Sequence, residues 1–172
     1  MLLRGLNIRG RGLRLLRILV IPFGILILIY IFLKRMTIKT TAPEFYGLVL
    51  NAGFPANIAK LITAQAAHET AIAGVPFMSP IYLANHNAFG MKNAGQSLVT
   101  GENMGHAVYA TVEHSILDYQ KWYNRRTPWF ALLPFLATTD SFVSWLKKHN
   151  YFEASEAAYL KGVNHFYTQI FG

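Results

Sequence analysis

Residues 18–33 form a run of 16 without a charged side chain, nearly all Ile, Leu, Val and Phe, with five arginines before it and Lys34, Arg35 and Lys39 after it. A helix over this run is about 24 Å long, short of a hydrocarbon core of about 30 Å. With the Arg17 guanidinium reaching up to the headgroups, Leu15 and Leu16 join the span and it reaches about 28 Å. The pattern predicts a basic segment over 1–14, a single transmembrane anchor over 15–35, a polar linker over 36–43 and one globular domain over 44–172. The excess of arginine ahead of the span places the N-terminus in the cytoplasm and the domain outside, on the periplasmic or cell-wall side. The competing reading is a cleaved signal peptide, with Pro22 and Gly24 in its apolar core and Thr40-Thr41-Ala42 as a small-residue cleavage site. The length of the run and the basic residues between it and that site favour the anchor.

Charge supports the same division. The first 39 residues hold eight basic groups and no acid, and the remaining 133 hold eight of each sign. The pI of 9.8 therefore reports the N-terminal segment, and the neutral domain offers no basic surface for nucleic acid. The chain has no cysteine, which excludes disulfides, thiolate zinc and a cysteine nucleophile together. The six histidines, His68, His86, His106, His114, His149 and His165, lack zinc-ligand spacing. Neither metal nor cofactor is expected.

Within the domain, helical periodicity runs over 43–52 and 57–72, with Pro43 suited to a first turn and Asn57 as a candidate N-cap. Residues 74–92 read as a long loop carrying Pro76, Pro80, Asn85, Asn87 and Gly90. Leu98-Val99-Thr100 and Ala107-Val108-Tyr109 flank a five-residue turn over 101–105, the pattern of a small β-hairpin. Helical patterns follow over 115–124, 128–136, 141–149 and 153–169, with starts near Thr111, Thr139 or Asp140, and Ser155. The expected class is α+β, mostly α, with 133 residues for a single core.

Glu69 does not fit an inert helix. Steps of three and four residues place it on one stripe with Ile58, Ile62, Gln65 and Ile72, the side expected to face the core. A carboxylate there needs a partner or a raised pKa, and a raised pKa is what a general acid requires. The plainer reading is a carboxylate that flanks the stripe and stays in water.

Ala64-Gln65-Ala66-Ala67-His68-Glu69-Thr70, then Asn87-Ala88-Phe89-Gly90-Met91-Lys92, then Val108-Tyr109 with Ser115-Ile116-Leu117-Asp118-Tyr119, and last Tyr151 with Ala158-Tyr159-Leu160-Lys161, follow one another in compatible order. Together they resemble the glucosaminidase family of peptidoglycan hydrolases, which includes the flagellar muramidase-like domain and many autolysins. The resemblance covers roughly residues 45–170. It implies a lysozyme-like fold with a groove between a helical body and a hairpin. It also implies hydrolysis of the β-1,4 bond from N-acetylglucosamine to N-acetylmuramic acid in peptidoglycan glycan strands.

By that resemblance Glu69 is the catalytic acid, Glu102 the best second carboxylate and Tyr109 the cleft tyrosine. Glu102 also reads as an exposed turn residue, and Tyr109 as an ordinary strand aromatic. Asn87 and Phe89 suit an N-acetyl group and a sugar face, but Phe89 also suits a core plug. Gln65, one turn before Glu69, either orients the acid or satisfies backbone groups. Asp118, Tyr119 and most of the tryptophans and phenylalanines read as packing residues. The chain departs from the family where Thr70-Ala71-Ile72-Ala73-Gly74 replaces the usual Ser-Gly-x-Gly turn. Two other classes stay open: a muramidase or lytic transglycosylase on a similar fold, and a non-catalytic glycan-binding or structural protein. The owner is open between a cell remodelling its wall and a membrane-containing virus that penetrates one.

Overall fold

A computed structural model describes residues 40–126 and 138–172. The expected anchor and the expected helix over 128–136 lie outside the described residues. The described chain is α+β and mostly helical, with one two-stranded antiparallel sheet among the described residues.

Helix α1, Ala42–Asn51, opens with Pro43 in its first turn and a reciprocal cap. The Glu44 amide donates to Thr41 Oγ1 (3.4 Å) and the Thr41 amide to Glu44 Oε2 (2.7 Å), which satisfies donors the helix leaves unpaired. Helix α2, Ala56–Thr70, follows Pro55 and has no side-chain cap, so Asn57 lies in the first turn and is not the N-cap. The expected loop over 74–92 contains a short helix, α3, Pro80–Asn85, capped by Ser79. The proline that signalled a loop is instead the first residue of that helix, where its missing N–H costs nothing.

Strands β1, Val99–Asn103, and β2, His106–Tyr109, pair with Glu102 opposite Ala107 and Asn103 opposite His106. The turn is two residues long, not five: Met104 and Gly105 both take left-handed φ, 53° and 71°, as a tight hairpin turn matched to strand twist requires. Helices α4, Val112–Asn124, α5, Thr139–Lys148, and α6, Glu156–Phe171, are capped by Thr111, Thr138 and Ser155.

Helix α2 is the centre of the core. Ten of its 15 residues are buried, so it is enclosed by other elements well beyond a single stripe. Helices α1 and α6 pack on it, α5 packs on α6, and β2 rests on α3 and α4. Small residues allow this: Ala59, Ala64, Ala66 and Ala67 are fully buried. The buried hydroxyls of Thr63 and Thr70 donate back to the carbonyls of Ala59 (2.7 Å) and Ala66 (2.6 Å), so they enter the core satisfied. Ile58, Ile62 and Gln65 are buried as expected, but Ile72 lies past the helix end and is 48% exposed. No helix among the described residues is long and apolar enough to cross a membrane.

Candidate active site

Two residues from the end of α2, His68 and Glu69, meet two residues of α6, Gly162 and Tyr159. A Cβ built on Gly162 would lie 2.2 Å from the His68 ring, so only glycine lets α6 approach this closely. Tyr159, one turn earlier, reaches back: its hydroxyl donates to Glu69 Oε1 at 2.5 Å, and its ring meets the His68 ring edge to face at 4.9 Å.

Glu69 keeps partial exposure along one side while protein encloses most of its carboxyl. Burial raises its pKa to about 7, against which the hydrogen bond from Tyr159 pulls downward. Burial prevails because an ionised carboxylate loses more solvation than one phenol restores. At neutral pH such a group holds a proton about half the time, and the phenol supports the anion when the proton leaves.

The exposed side of Glu69 opens into a groove of about 650 Å³. Phe89, Gly90, Met91 and Lys92 form one lip, Trp122 part of the wall, and Tyr151, Phe152, Glu153 and Tyr159 the other lip. Gly90, with φ +60°, turns the first lip past the acid; a Cβ there would sit 3.9 Å from Glu69 Oε2. The second lip is held by packing and by a lysine. Phe152 stacks on Tyr159 with ring centroids 3.8 Å apart, and Lys147 Nζ donates to the carbonyls of Phe152, Glu153 and Ala154 at 3.4, 3.2 and 2.8 Å. The two lips are tied by the Tyr151 hydroxyl, which donates to the Phe89 carbonyl at 2.8 Å. Tyr151 and Trp122 pack edge to face at 5.2 Å, and the Arg126 guanidinium lies 3.9 Å from the Trp122 ring. Flat aromatic rings around one carboxyl suit the apolar faces of pyranose rings.

Gln65 lies one turn below Glu69 and is fully buried. Its Oε1 accepts from the Tyr119 hydroxyl at 2.7 Å, and its Nε2 makes no regular hydrogen bond. Its amide nevertheless lies close enough to the Tyr151 and Tyr159 phenols to offset part of the rise that burial and the Glu69 charge impose on them. Gln65 therefore belongs to the layer under the acid and does not line the groove.

Phe89 lines the groove and also serves the core. It is 3% exposed and stacks on Tyr119 at 4.0 Å. Asn87 is fully buried, and both ends of its amide are consumed by backbone. Nδ2 donates to the carbonyls of Met91 (2.8 Å) and Ala107 (3.0 Å), and Oδ1 accepts from the amides of Phe89 (3.3 Å) and Met91 (3.0 Å). The Asn87 amide, expected to meet an N-acetyl group, is here turned to backbone: the residue builds the lip and ties it to β2.

The structure does not bring Glu102 or Tyr109 to the groove. Glu102 is exposed on β1 and absent from the groove lining. Tyr109 is 1% exposed, with its hydroxyl buried and without a hydrogen-bond partner; burial pushes its pKa well up, and Asp118 adds to that. The carboxylate that does share the lining with Glu69 is Glu153. Nothing in the local sequence singles it out. Tyr151 and Tyr159 were legible only through the resemblance, since 90 residues separate Tyr159 from the acid it contacts.

Comparison with protein families, with curated proteins and with solved structures returns no match.

Proposed function

We propose that the chain is a membrane-anchored glycoside hydrolase of peptidoglycan that cleaves the β-1,4 bond from N-acetylglucosamine to N-acetylmuramic acid on a lysozyme-like domain, with Glu69 as general acid. The observation that carries this reading is a carboxyl raised to about 7 by burial, at the floor of an aromatic groove of about 650 Å³. The anchor over 15–35 would hold the domain outside the cytoplasmic membrane, or on a viral membrane, facing glycan strands.

In this mechanism the Glu69 proton passes to the glycosidic oxygen as the C1–O bond breaks and the sugar takes oxocarbenium character. Tyr159 then supports the carboxylate left behind. Completion needs either a second carboxylate about 6.5–9.5 Å from the first to activate water, or attack of the substrate's own acetamido oxygen on C1. The lining position of Glu153 supports it as the carboxylate of the first route, ahead of Glu102, which lies away from the groove.

A second reading, a lytic transglycosylase, is favoured by one observation. Glu69 combines a pKa near 7 with a phenol donor, which lets one group act first as acid and then as base toward the muramic acid 6-hydroxyl. The full-length protein, with Glu69→Gln as control, separates these readings when its products from purified peptidoglycan are weighed by mass spectrometry. Reducing-end N-acetylglucosamine, reduced by about 10²-fold or more in the variant, is the expected result. Anhydromuramic ends would select the second reading, and intact glycan would sink both.

A further inference from the structure

The segment in which the chain departs from the glucosaminidase pattern folds into an apolar turn. Between Glu69 and Lys92 there is no Asp, Glu, Lys or Arg. Ile72 and Val75 pair across a tight turn by reciprocal backbone hydrogen bonds of 3.0 and 2.9 Å, with Ala73 and Gly74 at its tip in left-handed φ, 51° and 79°. Their side chains are 48% and 53% exposed, two of the four large exposed hydrophobics among the described residues. Scattered singly, such residues need no explanation; side by side on one turn they do. The segment that follows the turn is pinned to the end of α2. The Thr70 carbonyl accepts from the Met78 and Ser79 amides (3.0 and 2.8 Å), and Thr70 Oγ1 accepts from the Phe77 amide (3.0 Å).

Beside the turn lies an apolar pocket of about 520 Å³. One side is formed by Ile72, Val75, Pro76 and Met78, and the other by Thr40, Thr41 and Ala42. Those threonines follow the basic end of the apolar run by five residues. Five residues span at most about 17 Å when fully extended, so in the anchor reading this pocket is within reach of the lipid surface. We propose that the Ile72–Val75 turn inserts into the outer leaflet of the bilayer and that acyl chains are the occupant of this apolar surface. This rests on the anchor reading given above. Shallow burial of a few apolar side chains is weak by itself but sufficient for a domain already held at the membrane. Glu69 lies near the end of α2 and Ile72 three residues later, just past that end, so insertion fixes the height of the acid above the membrane and limits cleavage to strands near it.

The chain has no cysteine, which permits a direct test on the full-length protein. Single cysteines at Val75, Leu28 and Lys161 would carry an environment-sensitive fluorophore, in vesicles of phosphatidylethanolamine and phosphatidylglycerol with or without brominated acyl chains. Insertion predicts at least about a two-fold loss of emission at V75C and L28C and none at K161C, an exposed position on α6. Quenching at L28C without V75C would overturn the inserted turn and leave the anchor standing. Equal quenching at V75C and K161C would overturn it as well, because the domain would then lie on lipid without a preferred face. Self-quenching at V75C that disappears on dilution with unlabelled chain would assign the surface to a second copy and also overturn it. Loss of quenching at L28C would remove the anchor and this proposal together.

Discussion

The α2–α6 contact and the β-hairpin each hold a glutamate and a tyrosine with a claim to catalysis, and they use them in opposite ways. At the helix end, Glu69 is enclosed and hydrogen-bonded by Tyr159, and its pKa rises to about 7. On the hairpin, Glu102 stands in solvent, while the Tyr109 hydroxyl is shut in the core without a partner. The residue types are the same. What differs is whether a second element, α6, closes over the carboxylate while leaving one side open. Partial enclosure is what gives Glu69 both a raised pKa and access to the groove, whereas complete burial leaves the Tyr109 hydroxyl without a role.

Substitutions test that contrast, the largest effects first. Glu69→Gln should lower glycan cleavage by about 10²-fold or more, and an equal loss in Glu102→Gln would break the comparison by requiring the hairpin to join the site. Asn87→Ala removes four hydrogen bonds to backbone and should cost about 2–4 kcal/mol in chemical denaturation. A variant that lost activity at unchanged stability would return Asn87 to substrate binding.

Glu69 should also make stability depend on pH. Its pKa is raised from 4.5 to about 7 on folding, so between those values the folded state binds more protons than the unfolded one. Its contribution is fully present below pH 4.5 and is lost as pH rises through about 7. The loss is up to about 3 kcal/mol by linkage. Glu69→Gln should accordingly be more stable than the parent at pH 8, with the difference vanishing near pH 4, as melting curves at the two pH values would reveal.

Tyr159→Phe removes the contribution that lowers the Glu69 pKa. The alkaline limb of the pH–rate profile should move upward, since the acid then keeps its proton to higher pH, and a profile that keeps its position would show the phenol to be structural only. The smallest effects belong to the hairpin. Tyr109→Phe should change stability by less than about 1 kcal/mol in either direction, because it removes a hydroxyl that has no partner. Glu102→Gln should stay within about 0.5 kcal/mol of the parent.

Much of the fold was legible because its signals are local. Thr111 and Ser155 mark helix starts, the alternation around Val99 and Val108 gives the hairpin, and the turn shortens to Met104-Gly105 only because strand pairing continues as far as geometry permits. Helix α3 was hidden by Pro80, its own first residue, and by Pro76 ahead of it. The stripe over Ile58, Ile62 and Gln65 was visible, but not that α2 is buried on most of its surface, since this depends on what packs against it and not on its own period.

The sequence by itself determined the separation of a basic apolar N-terminus from a neutral domain, the hairpin and the described helices other than α3, and the identity of Glu69 as a carboxylate out of place. Those properties follow from residue type and short-range spacing. Only the tertiary structure decided that Tyr159, Phe152 and Glu153 share the groove of that carboxylate, that Asn87 is consumed by backbone, and that Tyr109 and Glu102 stand elsewhere. The reason is physical: a pKa and a groove arise from elements distant in the chain closing on one another, and here that approach turns on the missing side chain of Gly162 against His68.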